Sequence, residues 1–238
     1  MAVVEPVDPL ESKAALAVVT ADGVDALSWT LQRTSGSFEV RRLQLLEVGS
    51  SLIGYYSEAS AALGVDMFDD SRAAAKAKGA YTAEPIILDR TVRIRRGLAW
   101  ASEPLSVDDE QAAIDRLSDI LRTEVARPYR DTVIGNRLRD RQAVGYKRIA
   151  SASACGFCRM LAGRGAVYKQ ETAYFASHGN CQCTVVPVFR GQAGEEANVI
   201  EYMASRRNKT EKQRARVREW IAAEYPDEAD RPHIRVSR

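Results

Sequence analysis

All four cysteines of this chain fall between Cys155 and Cys183, and their spacing constrains the fold more than any other feature. They read Cys155-x-x-Cys158, then nineteen residues, then His178-x-x-Cys181-x-Cys183. Two cysteines separated by two residues turn both sulfurs toward one point in a tight knuckle, and Gly156 makes that backbone turn easy. In an extended segment Cys181 and Cys183 project to the same side. Five candidates therefore compete for four tetrahedral positions. The spacing favours Cys155, Cys158 and Cys181 with His178, and leaves Cys183 as the spare or substitute. Thiolate and imidazole ligands suit zinc, and a closed four-ligand site leaves no place for water, so the expected Zn2+ is structural. The alternatives are reduced buried thiols or a disulfide.

The rest of the 238 residues is ordinary in composition, with 45% hydrophobic and 28% charged side chains, which argues against a disordered, collagenous or membrane-bundle chain. Net charge is only +2, but it is unevenly spread. Residues 1–88 carry 7 basic and 12 acidic side chains, net −5, and the remainder carries 27 against 20, net +7. The two parts therefore favour different neighbours, the acidic one a basic protein surface. The first ten residues are acidic where a secretory signal needs a positive region and an apolar core, and no uninterrupted apolar run reaches the length of a bilayer span. The sequence thus predicts no membrane partner and assembly in a reducing cytoplasm.

The predicted fold class is mainly α: an extended helical N-terminal region followed by a small α+β, Cys/His-rich C-terminal subdomain. A first helix is expected over residues 11–31, with Gly23 as its one breaker. Ser37 is placed to cap a longer one whose stripe is Leu43, Leu46, Ile53 and Tyr56, weakened by Gly49 and Gly54. Asp69, Asp70 or Ser71 would cap a separate Ala-rich run over 73–77 that ends at Gly79. From Ile86 to Trp100 both periods occur, and Leu88, Val92 and Leu98 favour a helix over a strand. Ser106 and Asp109 resemble a capping box for a helix with Ala113, Ile114, Leu117, Leu121 and Val125 on one face. Pro128 would break or kink it, with residues 130–148 continuing beyond. Cys183–Phe189 is β-prone, residues 190–198 read as a linker, and 199–225 as a helix. The domain organisation expected from this is 1–148 helical, 149–189 Cys/His-rich knuckle, and 190–238 linker with a basic C-terminal helix.

Enzyme chemistry finds little purchase. His233 sits in a charged tail without an evident partner, no Gly-x-Ser-x-Gly elbow accompanies either histidine, and Gly163-Arg164-Gly165 lacks a phosphate-loop Lys-Ser or Lys-Thr. The expectation is no catalytic residue and no enzyme. The runner-up is a zinc-dependent nuclease or toxin-like domain, which would need an open coordination site and a nearby base. Basic residues do cluster, with eight between Arg137 and Lys169. Seven more, Arg206, Arg207, Lys209, Lys212, Arg214, Arg216 and Arg218, stand against Glu211 alone. The second group is the candidate nucleic-acid-binding surface, suited to phosphates without sequence specificity.

The run Ala154-Cys-Gly-Phe-Cys-Arg-Met-Leu-Ala-Gly-Arg-Gly-Ala-Val-Tyr168, followed by His178-Gly-Asn-Cys-Gln-Cys-Thr-Val-Val-Pro-Val-Phe189, resembles the signature of the phage Mu F-like (MuF-like) minor head proteins. The likeness is sharpest over about residues 145–189, where the Cys-x-x-Cys, Arg-Gly-x-Val-Tyr and His-x-x-Cys-x-Cys segments stand in family order. Trp100, Pro104-Leu105 and Arg130-Asp131-Thr132 are compatible with it. One departure is that the family's His-Pro-x-Cys-Arg-Cys is here His178-Gly-Asn-Cys181-Gln-Cys183, which keeps every potential ligand and loses the proline and arginine. The resemblance implies a structural virion protein of a tailed phage, present in few copies inside the head near the portal and acting in head assembly and DNA packaging or ejection. Its implied partners are the portal protein, the major capsid protein and packaged double-stranded DNA.

Overall fold

The computed structural model describes residues 8–150, 154, 158–159, 162–163 and 183–192. The chain is mainly α, and the described residues form four α-helices and one small antiparallel sheet. Helix α1, Pro9–Arg33, starts where Asp8 accepts a hydrogen bond from the Leu10 amide (2.8 Å) and Pro9 takes the first turn. Leu16, Thr20, Gly23, Leu27 and Leu31 form its buried stripe at spacings of three and four. Gly23 does not break the helix. A Cβ there would lie 2.9 Å from Leu121 Cδ2 and 3.1 Å from Tyr56, so its bareness lets the helices close up. By length and mean hydropathy (1.2) α1 is also long and apolar enough to cross a membrane, but its Leu16, Leu27 and Leu31 are buried in the bundle.

The chain reverses through Gly36, whose φ of +103° is open to glycine, and enters α2, Phe38–Ala74, 37 residues and about 55 Å long. Here the expectation of two helices is corrected. Asp69, Asp70 and Ser71 lie inside α2, not at a new N-terminus, and Gly79 lies beyond its end, where Lys76 turns left-handed (φ 50°). The stripe is also rotated from the expected one: Ile53 is fully buried, Leu46 and Tyr56 partly, and Leu43 is 60% exposed. Much of the buried face is made of small residues, Gly49, Ser57, Ser60, Ala61 and Gly64, which a search for large apolar side chains overlooks.

Residues 75–90 form no helix, so the predicted helix from Ile86 is shortened to α3, Thr91–Ala101, with Leu88 and Val92 exposed and Leu98 buried. A 3-10 turn, Glu103–Val107, leads to α4, Glu110–Arg139. The α4 cap is Asp109, which accepts from the Ala112 amide (3.0 Å), whereas the Ser106 hydroxyl donates to the Glu103 carbonyl. Ala113, Leu117, Leu121 and Val125 are buried as expected, and Ile114 is half-buried. Pro128 neither ends nor splits α4, because Val125, Ala126, Tyr129 and Val133 on both sides are locked into the core. The helix stops at Arg139, and Val144 and Tyr146 belong instead to β1, Ala143–Ile149.

Strand β1 pairs antiparallel with β2, Thr184–Phe189, in the register Ile149↔Thr184 to Ala143↔Phe189, with an irregularity between Ala143 and Gly145. The core has two main parts. Leu27, Leu31, Leu45, Ile53, Leu98, Leu105, Leu117, Leu121 and Val125 join the four helices. At the other end Met67, Phe68, Tyr129 and Val133 pack beneath Val185, Val186 and Phe189, with the Phe68 and Phe189 rings edge to face at 5.5 Å. The predicted helix over 199–225 lies outside the described residues.

Candidate functional site

The sheet end holds the two functional candidates that are described, Cys158 and Cys183, and α4 organises it through three consecutive side chains. Arg130, 3% exposed, donates from Nη1 to the Cys183 carbonyl (3.4 Å). Asp131 pairs with Arg90 Nη1 (2.9 Å). The Thr132 hydroxyl accepts from the Ile86 amide (2.9 Å). One helical turn thus holds the start of β2, the entry to α3 and the segment between α2 and α3. The Arg130-Asp131-Thr132 stretch, merely compatible with the family resemblance in sequence, is the anchor of this end.

Asn136, fully buried one turn later, completes the clasp. Its Nδ2 donates to the Glu84 carbonyl (2.7 Å) and to the Thr132 carbonyl (2.8 Å), and its Oδ1 accepts from the Glu84 amide (3.0 Å) and the Tyr81 hydroxyl (2.8 Å). Asp69 of α2 accepts from the Ala83 amide (2.9 Å), so residues 81–86 run as an extended strap bonded by side chains rather than by a second strand. Sequence reasoning missed Asn136 and Asp69. The available signal was polar residues at buried register positions of α4, since Val125, Tyr129, Thr132 and Asn136 share one face.

A charged network adjoins the strap. Glu124 is buried and lies 2.8 Å from Arg93 Nε, 3.3 Å from Arg127 Nε and 3.6 Å from Arg90 Nε. Burial pushes the Arg127 guanidinium below its ordinary pKa, opposed by Glu124. Burial also holds the Asp131 carboxyl above its usual range, against the attraction of Arg90, Arg130 and Arg127. The Tyr129 phenol, whose hydroxyl donates to the Val185 carbonyl (3.3 Å), is pushed well up by its burial. These groups tie three segments together, and each charge has an opposite one at hand.

Of the predicted metal ligands, Cys158 and Cys183 are described. Both are 2% exposed and pack with Ala154 and Ala150 in one small cluster at the head of β2. The structure therefore brings the second cysteine of the first pair beside the last cysteine of the second. Cys155, His178 and Cys181 lie outside the described residues, as do Arg206, Arg207, Lys209, Lys212, Arg214, Arg216 and Arg218. Among the described residues alone, no group of three or more His, Cys, Asp or Glu is placed to hold a metal. The other basic cluster is partly consumed by the fold: Arg148 is buried, Arg139 pairs with Glu84 (2.9 Å), and Arg137 donates to the Val144 carbonyl (2.8 Å).

No curated protein and no solved structure matches the chain. A family model described as VG15 protein matches residues 8–210, which takes in all four helices, both strands and the whole cysteine and histidine constellation. That match covers well over half of the 238 residues, and the chain accordingly belongs to the VG15 protein family, a viral protein family.

Proposed function

We propose that this protein is a structural minor capsid component of a tailed phage, associated with the portal inside the head and acting in head assembly and in packaging or ejection of DNA. The observation that carries the reading is the ordered set Cys155-x-x-Cys158, Arg164-Gly-x-Val-Tyr168 and His178-x-x-Cys181-x-Cys183, set in a chain of a viral family. The fold supports it. The strands that flank the Cys/His segment, β1 before it and β2 after it, are both packed on the helical core.

In this reading the protein is not an enzyme. Zn2+ is held by Cys155, Cys158, Cys181 and His178, with Cys183 competing for a position, and the buried thiols of Cys158 and Cys183 are the structural support for that donor set. Bound zinc would cross-link the two halves of the segment. Residues Arg206 to Arg218 would meet the phosphates of packaged DNA.

The test is to purify phage particles carrying the tagged protein and to quantify it by mass spectrometry, beside heads assembled without portal. The protein is expected in few copies in complete particles and absent from portal-less heads. Absence from complete particles overturns the reading. Metal-dependent cleavage of DNA by the purified chain, abolished in Cys155→Ser with folding retained, would replace it with the zinc-nuclease alternative.

A further inference from the structure

Among the described residues, two outer faces of the bundle are left without cover and are opposite in charge. Between Leu43 and Ser71, α2 carries Glu47, Glu58, Asp66, Asp69 and Asp70 and not one lysine or arginine. Opposite its buried Leu45, Gly49, Ile53 and Ser57, the helix presents Val40, Leu43, Val48 and Tyr55, which are 42–67% exposed, interleaved with exposed Glu47 and Glu58. This face is apolar and acidic.

Helix α3 is its counterpart, with three arginines and no acidic residue. Its outer side presents Val92 (65% exposed), Trp100 (49%), Arg95 and Arg96, and the preceding strap adds exposed Ile87 and Leu88. Arg93 is engaged by Glu124, but among the described residues Arg95, Arg96, Glu47 and Glu58 enter no ion pair. The two faces cannot meet within one molecule, because α3 turns its inner side to α2, with Leu98 packed on Gly49.

We propose that the outer face of α3 docks on the outer face of α2 in a second copy of this chain. Phosphates alone would satisfy Arg95 and Arg96 and leave Ile87, Leu88 and Val92 in water. An acidic surface with apolar residues between the carboxylates covers both, and this chain carries one. The lengths suit: Val40 to Glu58 spans about 27 Å of α2, and the 11 residues of α3 span about 16 Å. The contact joins two different patches, so it is heterologous and each docked pair keeps one free face of each kind, which extends the assembly into a ring or an open chain.

Sedimentation of the full chain across a salt series is the first test. Species heavier than the 26.3 kDa monomer are expected at low salt and should shrink toward it as salt rises. Arg95→Glu/Arg96→Glu and Glu47→Arg/Glu58→Arg should each weaken association by about tenfold or more, and an equimolar mixture of the two should restore it, because the reversed charges complement each other across the contact. Far-UV circular dichroism checks that both variants keep their helices, and if a reversal unfolds the chain, Arg95→Gln/Arg96→Gln gives the same reading with a smaller loss. A wild-type chain that stays monomeric at about 100 μM, roughly a −5.5 kcal/mol threshold, overturns the proposal. So does either variant self-associating undiminished, or a folded mixture that fails to recover. Loss of duplex-DNA binding in the α3 variant with assembly unchanged would make the face a nucleic-acid contact instead.

Discussion

At the scale of single residues, two glycines of α2 separate the two uses of the smallest side chain. A Cβ on Gly64 would lie 2.8 Å from the Tyr129 carbonyl oxygen and 3.0 Å from Thr132 Cβ, so Gly64→Ala must push α4 away from α2. We expect it to lose about 1–3 kcal/mol of stability despite the better helix propensity of alanine. Gly54 has nothing within 4 Å, and Gly54→Ala should gain about 0.5–1 kcal/mol. Urea denaturation of the pair checks both signs. The raised carboxyl pKa of Asp131 makes a further residue-level prediction. A folded carboxyl that holds its proton more tightly than the unfolded one favours folding below its ordinary range near 4 and withdraws that support as pH rises through the folded value. The stability of wild type relative to Asp131→Asn should therefore fall as pH rises above the ordinary carboxyl range near 4. A flat difference would mean that Arg90 offsets the burial of the carboxylate in full.

At the scale of elements, the strap over residues 81–86 has no partner strand among the described residues and depends on side chains of α4 and α2. Asn136 satisfies both the amide and the carbonyl of Glu84 in a buried setting. Asn136→Ala leaves these polar groups unpaired, and we expect a cost of about 2–4 kcal/mol, with faster hydrogen exchange at the Glu84 amide than at the amides of α1. Equal acceleration in α1 would show that the strap and the bundle unfold as one unit. The same element explains why the helix predicted from Ile86 begins only at Thr91. Thr132, Asn136 and Asp69 offer bonds to an extended backbone, and no local periodicity reveals partners 14 to 52 residues away.

At the scale of the whole molecule, the core of the helical bundle extends to the strand that closes the Cys/His segment. Val185, Val186 and Phe189 of β2 sit in a core shared with Met67, Phe68, Tyr129 and Val133, independent of any metal. If zinc is bound as proposed, its chelation should therefore leave the far-UV helical signal nearly unchanged while raising hydrogen exchange around Cys158 and Cys183. Collapse of the helical signal on chelation would mean that the ion holds the bundle as well.

The sequence by itself determined the helical class, the existence of α1, α2 and α4, the β character of 184–189 and the thiol and imidazole spacing, because each is written in local periodicity, capping residues or short motifs. Tertiary structure decided the rest. It chose which side of α2 is buried, since glycine, serine and alanine there gain their value only from the close approach of α1 and α4. It carried α4 through Pro128, because packing on both flanks outweighs one missing backbone hydrogen bond. It also gave Arg130, Asp131, Thr132 and Asn136 their roles, since the groups they bind are distant in the chain and become neighbours only once the bundle has formed.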